Sequence, residues 1–268
     1  MTGPDGSPAR FVVAVASGKG GVGKSTVSLN LALALVESGR TVGLLDADFY
    51  GPDIPLMVNL TRTERLERWN FFARGREISI EPVERFGVKI MSVGFFLGER
   101  QAFSLPAQWT YFVGRQLVHE VAWGGPDYLI IDLPPGTADL QQELVRLLPL
   151  DGALLVVGPQ DVAHLDAKKV LDMFAETGVR VLGAVENMTA MTCPHCGEPI
   201  DVFPEVRQDR SLWALGVSRL TRVPLDSLVA QGGTGGSPVL VSHPHGPHAD
   251  AFRNLRDALV DALEAEGP

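Results

Sequence analysis

Short apolar runs alternate along the chain with longer stretches of helical period. The runs are Phe11-Val12-Val13-Ala14-Val15-Ala16, Thr41-Val42-Gly43-Leu44-Leu45, Tyr128-Leu129-Ile130-Ile131, Ala153-Leu154-Leu155-Val156-Val157, Val181-Leu182-Gly183-Ala184-Val185 and Leu220-Thr221-Arg222-Val223. None alternates cleanly between apolar and polar positions, which is the pattern of strands covered on both faces. Between them the spacing predicts helices over Val27–Val36, Ala107–Ala122, Leu140–Leu148, Val162–Thr177 and Ala249–Glu266. Such alternation predicts an α/β fold: a doubly wound, mainly parallel sheet with flanking helices and ligands at the C-terminal strand ends. Glu77–Ile80 and Val88–Met91 are shorter runs expected to pair in or beside the sheet. Gly232–Ser237 reads as a flexible surface loop. The final helix carries Phe252, Leu255, Leu259, Val260 and Leu263 on one stripe opposite acidic residues, so it is expected to pack on the sheet.

Composition narrows the class. A chain of 268 residues, 45% hydrophobic and 21% charged, fills one sizeable core. One domain is expected over 11–268, after a disordered leader at 1–10 that lacks a signal-peptide core. A net charge of −9 argues against nucleic acid or an anionic membrane as partner. No apolar run approaches the roughly 20 residues that span a bilayer. A cytoplasmic location is expected.

The chemistry concentrates at the first strand–helix junction. There Ser17-Gly18-Lys19-Gly20-Gly21-Val22-Gly23-Lys24-Ser25-Thr26 satisfies G-x-x-x-x-G-K-S/T at Gly18, Gly23, Lys24 and Ser25. Backbone N–H groups along Gly18, Lys19, Gly20, Gly21, Val22, Gly23, Lys24, Ser25 and Thr26 are placed to curl around phosphates at a helix N-terminus. Lys24 is expected to reach the β/γ-phosphates and the Ser25 hydroxyl to ligate Mg²⁺. Binding of a nucleoside triphosphate follows, and Lys24→Ala is expected to weaken it while leaving the fold intact. Lys19 is a second lysine that an ordinary phosphate loop does not need. Lys-Gly-Gly-x-Gly-Lys-Ser/Thr resembles the deviant loop of partitioning and division-site ATPases, whose extra lysine reaches the partner's nucleotide across a dimer interface. Asp132 closes an apolar run ahead of Pro134-Pro135-Gly136-Thr137, where a phosphate-loop enzyme holds the Mg²⁺ water shell. Asp46 and Asp48 close another strand. Asp48 is the preferred group to polarise the attacking water, with turn chemistry or an outer Mg²⁺ role open for either.

Cys193-Pro194-His195-Cys196-Gly197 has the shape of a metal knuckle in a loop at about 188–203. A zinc or iron–sulfur site takes about four ligands, and the chain has two cysteines. Three completions are open. A second subunit donates the other pair, histidines among His195, His243, His245 and His248 complete a zinc site, or the pair is a redox disulfide. The Pro and Gly content of His243–His248 reads as solvent loop. The bridge between subunits fits best, because Lys19 already implies a face-to-face dimer.

From about Val12 to the last helix the chain resembles the Mrp/ApbC-type iron–sulfur cluster carrier ATPases, deviant Walker A proteins related to MinD and ParA. The likeness rests on the Lys19–Thr26 loop, Asp46-Ala47-Asp48 with Tyr50-Gly51-Pro52, Asp132–Thr137, Pro159-Gln160-Asp161 and Glu186-Asn187-Met188 with the cysteine knuckle. It implies ATP, a homodimer, adenine contact by Asn187, and a [4Fe-4S] cluster bridged by Cys193 and Cys196 of both subunits. It also implies slow hydrolysis and delivery of the cluster to apo iron–sulfur proteins. The alternative is a nucleotide-switched, partition-like or regulatory ATPase with structural zinc at the cysteines. Gly136-Thr137-Ala138-Asp139 and Phe203-Pro204-Glu205-Val206-Arg207 depart from the family's usual segments.

Overall fold

The computed structural model describes residues 7–60, 80–96, 107–136, 139–193 and 195–265. Its strands are β1 (Phe11–Ala16), β2 (Val42–Asp46), β3 (Val83–Arg85), β4 (Val88–Ser92), β5 (Tyr128–Asp132), β6 (Gly152–Val157), β7 (Val181–Glu186), β8 (Met191–Thr192), β9 (Pro199–Ile200) and β10 (Arg219–Arg222). Eight form one sheet in the order β10-β7-β6-β1-β5-β2-β4-β3, parallel except for the β3–β4 edge pair. β8 and β9 make a separate antiparallel hairpin. Helices α1 (Lys24–Glu37), α2 (Ile54–Met57), α3 (Ala107–His119), α4 (Asp139–Leu147), α5 (Asp161–Thr177), α6 (Ser227–Thr234), α7 (Val239–Ser242) and α8 (Pro247–Glu264) accompany them.

Every residue of β2, β5 and β6 is buried, which is why their sequences run apolar without alternation. On α8, Phe252, Leu255 and Leu259 are fully buried, packed against α1 and β10. Val260 and Leu263 complete the stripe half-buried. Arg253–Glu37 and Arg40–Glu264 ion pairs at 2.7 Å fasten α8 to α1 and its C-terminal end. No helix among the described residues is long and apolar enough to cross a membrane.

Three local expectations change. The expected leader already packs at its end: Ala9 is buried and the Arg10 N–H donates to the Pro126 carbonyl at 3.0 Å. Residues 1–6 lie outside the described set. Ile80 bridges Val121 rather than the Val88–Met91 run, whose antiparallel partner is β3; 77–79 lie outside the described residues. The glycine tract at 232–234 belongs to helix α6. Asp226 caps that helix through the Leu228 N–H at 2.8 Å, and Gly232 is buried where a Cβ would stand 2.8 Å from the Ser237 carbonyl. Gly232 serves close packing, not looseness.

Candidate functional site

The loop between β1 and α1 sits at the C-terminal crest of the sheet, where crossovers on both faces leave a crevice. Gly18 lies so close to the backbone of Asp166 and Ala167 in α5 that a side chain has no room. The Gly136 N–H donates to the Ser17 carbonyl at 2.9 Å, which ties the loop after β5 to the phosphate loop. Parallel register sets Asp46 beside Asp132 at the ends of β2 and β5.

Lys24 and Ser25, both expected from the sequence, converge on Asp132, which is fully buried. The Lys24 ammonium donates to its Oδ2 at 2.8 Å, and the Ser25 hydroxyl donates to the same oxygen at 2.6 Å. Ser28 adds a bond the sequence reading missed, its hydroxyl 2.6 Å from Oδ1. The missed signal is helical spacing: Ser25 and Ser28 are i and i+3, on one face of α1. Burial works against the Lys24 ammonium, but Asp132, then Asp46 and Asp48, outweigh it and raise its pKa. Burial, with Asp132 beside it, pushes the Asp46 carboxyl well up. Asp46 is spent on structure: it accepts from the Asp48 and Ile54 N–H groups and the Ser92 hydroxyl at 3.0–3.3 Å. Asp48 faces the crevice instead, 4.0 Å from Lys24, its carboxyl raised by burial. Lys19 is half-buried on the rim of the same 380 Å³ cavity, which Gly20, Gly21, Gly23 and Thr26 also line.

The donor set fits a Mg²⁺–nucleotide. A cation, a hydroxyl and a carboxylate meet at the mouth of an amide-lined loop, bonded to one another here and each able to exchange that bond for phosphate or metal. Beside it a 310 Å³ cavity of base-like size is walled by Met57, Met188, Pro224, Leu225 and Val229. Asn187 lines that cavity with one N–H of its amide already engaged. Its Nδ2 donates to the Val22 carbonyl at 2.8 Å, clamping the phosphate loop. Pro224 and Leu225 follow the last strand of the sheet, a position that marks ligand sites in such folds.

The cysteines sit on the β8–β9 hairpin, paired Met191 to Ile200 and Thr192 to Pro199. Both thiols are free, Cys196 exposed and Cys193 half-buried. The Cys193 N–H donates to the Glu198 carbonyl at 2.8 Å, and the Gly197 N–H returns to the Cys193 carbonyl at 2.9 Å. Amides of Cys196 and His195, with the Cys196 thiol, point at the Cys193 sulfur and lower its pKa. That arrangement favours thiolate and hence metal ligation. Among the described residues no group of three or more His, Cys, Asp or Glu gathers there. His248 is buried elsewhere, its Nδ1 2.9 Å from Asp226 and its Nε2 3.0 Å from the His243 carbonyl. It is a packing residue. Pro194, Thr137 and Ala138 lie outside the described residues.

A parallel sheet with a lysine-rich phosphate loop at its crest defines a P-loop NTPase of the MinD/ParA type. The ParA family model, described as NUBPL iron-transfer P-loop NTPase, matches residues 9–260. The chain belongs to this family of iron-transfer P-loop NTPases. It is 38% identical to the iron-sulfur cluster carrier protein of Aquifex aeolicus, over 96% of this chain and 69% of that protein. It is 37% identical to the iron-sulfur cluster transfer protein NUBPL of Mus musculus, over 96% and 78%. The nucleotide-binding protein of Archaeoglobus fulgidus, solved with ADP, superposes with a TM-score of 0.73 at 35% identity, over 91% of this chain and 93% of its own. The septum site-determining protein MinD of Pyrococcus horikoshii, with Mg-ADP, shares the fold at TM-score 0.68 and 23% identity, over 96% and 97%.

Proposed function

We propose that the protein is a slow, Mg²⁺-dependent ATPase of the cytoplasm that carries a [4Fe-4S] cluster as cargo between two subunits and delivers it to apoproteins. The observation that carries this reading is the knuckle itself. Amides aimed at the Cys193 sulfur prepare a thiolate, and each chain supplies two cysteines where a cluster takes about four ligands. The family membership and the names of its relatives support the same cargo.

In this reading Lys24 binds the β/γ-phosphates, while Ser25 and Asp132 hold Mg²⁺. Bound Mg²⁺ supplies charge neutralisation at the transferring phosphoryl group. Asp48 orients and deprotonates the attacking water, its raised pKa matching a base. Lys19 reaches the partner subunit's nucleotide. Asn187, holding the Val22 carbonyl, joins the phosphate loop to the segment that runs into Cys193. An adenine contact by Asn187 uses its second N–H or its Oδ1 while the Val22 bond stays in place.

Anaerobic reconstitution with iron and sulfide tests the cargo. About four iron per dimer, lost with Cys193→Ala or Cys196→Ala while ATP still binds, is the expected result. Tightly held zinc and no stable cluster instead assigns the pair to structural metal in a partition-like ATPase. For Lys19, a dimer of one Lys19→Ala and one intact subunit should lose hydrolysis at the intact subunit's nucleotide. Unchanged turnover sinks the trans role.

A further inference from the structure

A cavity of about 580 Å³ lies apart from the phosphate loop and shares no lining residue with it. Glu186 and Arg222, paired at the ends of β7 and β10, contribute to it. The chain segments leading into and out of the cysteine hairpin, at Thr189–Ala190 and Asp201–Val202, line it too. Its charges do not balance locally. The Glu186 side chain is 9% exposed, and its Oε2 lies 3.0 Å from both Arg219 Nη1 and Arg222 Nε. Arg219 also stacks over Trp213 at 4.7 Å. One buried carboxylate oxygen thus holds two guanidinium groups, which leaves positive charge and unused N–H donors of Arg222 facing the cavity. Asp201 and Glu205, exposed on the same lining, make no ion pair among the described residues. The cavity therefore offers unmatched charge of both signs beside the aromatic faces of Trp213 and Phe203.

We propose that this cavity binds a small zwitterion, an amino acid or short peptide. Its carboxylate lies on the Arg222 and Arg219 guanidinium groups, its ammonium on Asp201 or Glu205, and its apolar part on Phe203 and Trp213. The volume is that of a small-molecule site, which spans roughly 300–1,000 Å³. A simple anion meets the arginines but faces the two free carboxylates, and a simple cation meets the reverse conflict. A zwitterion meets neither, and like-charge conflict is what excludes the others. Guanidinium forks grip carboxylates in two-point fashion, which sets the orientation.

Isothermal titration of the full chain with the common amino acids and dipeptides, each also as its N-acetyl and amide form, tests this. Saturable binding by at least one zwitterion, lost when either charge is blocked, is expected. Arg222→Gln and the double variant Asp201→Asn with Glu205→Gln should each weaken it about tenfold, the effect of one charged hydrogen bond. Arg222 is 59% exposed, so its replacement leaves Arg219 on Glu186, and an unchanged melting temperature of each free variant verifies the fold. No zwitterion bound at up to about 10 mM overturns the proposal. So do blocked forms binding as well as free ones, or variants binding like the parent. The readout is ligand binding, so failure here leaves the cluster-carrier reading standing.

Discussion

Lys24 is 6% exposed and is the closest cation to Asp132, with Asp46 and Asp48 also in its field. The expectation that Lys24→Ala spares the fold treats the side chain as a hand waiting for phosphate. Its second task is to balance buried carboxylates. Breaking such a pair costs about 3 kcal/mol, the low end for buried ion pairs, because Ser25 and Ser28 still donate to Asp132. Lys24→Ala should therefore lose ATP binding by calorimetry and also lower the urea midpoint of the nucleotide-free protein. An unchanged midpoint refutes the balancing role. His164 supplies a pH test. It is fully buried, its Nδ1 accepts the Leu212 N–H at 3.1 Å, and burial holds its pKa below the ordinary 6.5. The unfolded chain takes up a proton there that the folded chain refuses. Stability present above pH 6.5 is thus lost as pH falls, by up to about 1.4 kcal/mol per unit. Denaturation at several pH values between ~7 and ~5 should show a shallower decline for His164→Gln; equal slopes count against this assignment.

The β8–β9 hairpin is too short to hold itself, since two-stranded ribbons are marginal alone. Its turn depends on Gly197 at φ +79°, a conformation costing a branched residue about 1–2 kcal/mol. That strain falls on an exposed element. Gly197→Val should cut metal loading of the reconstituted protein severely while moving the thermal midpoint little, and normal loading argues against a preformed knuckle. Helix α6 teaches the opposite lesson about glycine. Gly-Gly-Thr-Gly-Gly looks like a linker in sequence. An Asp226 cap and close packing around buried Gly232 make its first half helix, and neither is visible in composition.

One contiguous core runs from β1 through the sheet to α8. The molecule should accordingly unfold in one transition, with calorimetric and van't Hoff enthalpies equal. Phe252→Ala, far along the chain from the phosphate loop, should lower that single transition by about 3–5 kcal/mol; two separable transitions refute one core. The α/β class, the phosphate loop and the strand-end aspartates were all legible, because each is written in contiguous residues. Strands covered on both faces must be apolar throughout, and an amide cradle needs its glycines and lysine in a row. What only the tertiary structure decided are contacts between distant segments. Strand order set Asp46 beside Asp132. The return of β7 brought Asn187 to the Val22 carbonyl, and a passing helix α5 made Gly18 obligatory. The pairing of β7 with β10 set Glu186 beside Arg222 under the cysteine hairpin. Periodicity records which face of an element is buried, but not which neighbour buries it. That choice is made by crossovers packing around one core, and the partners of each charged side chain follow from it.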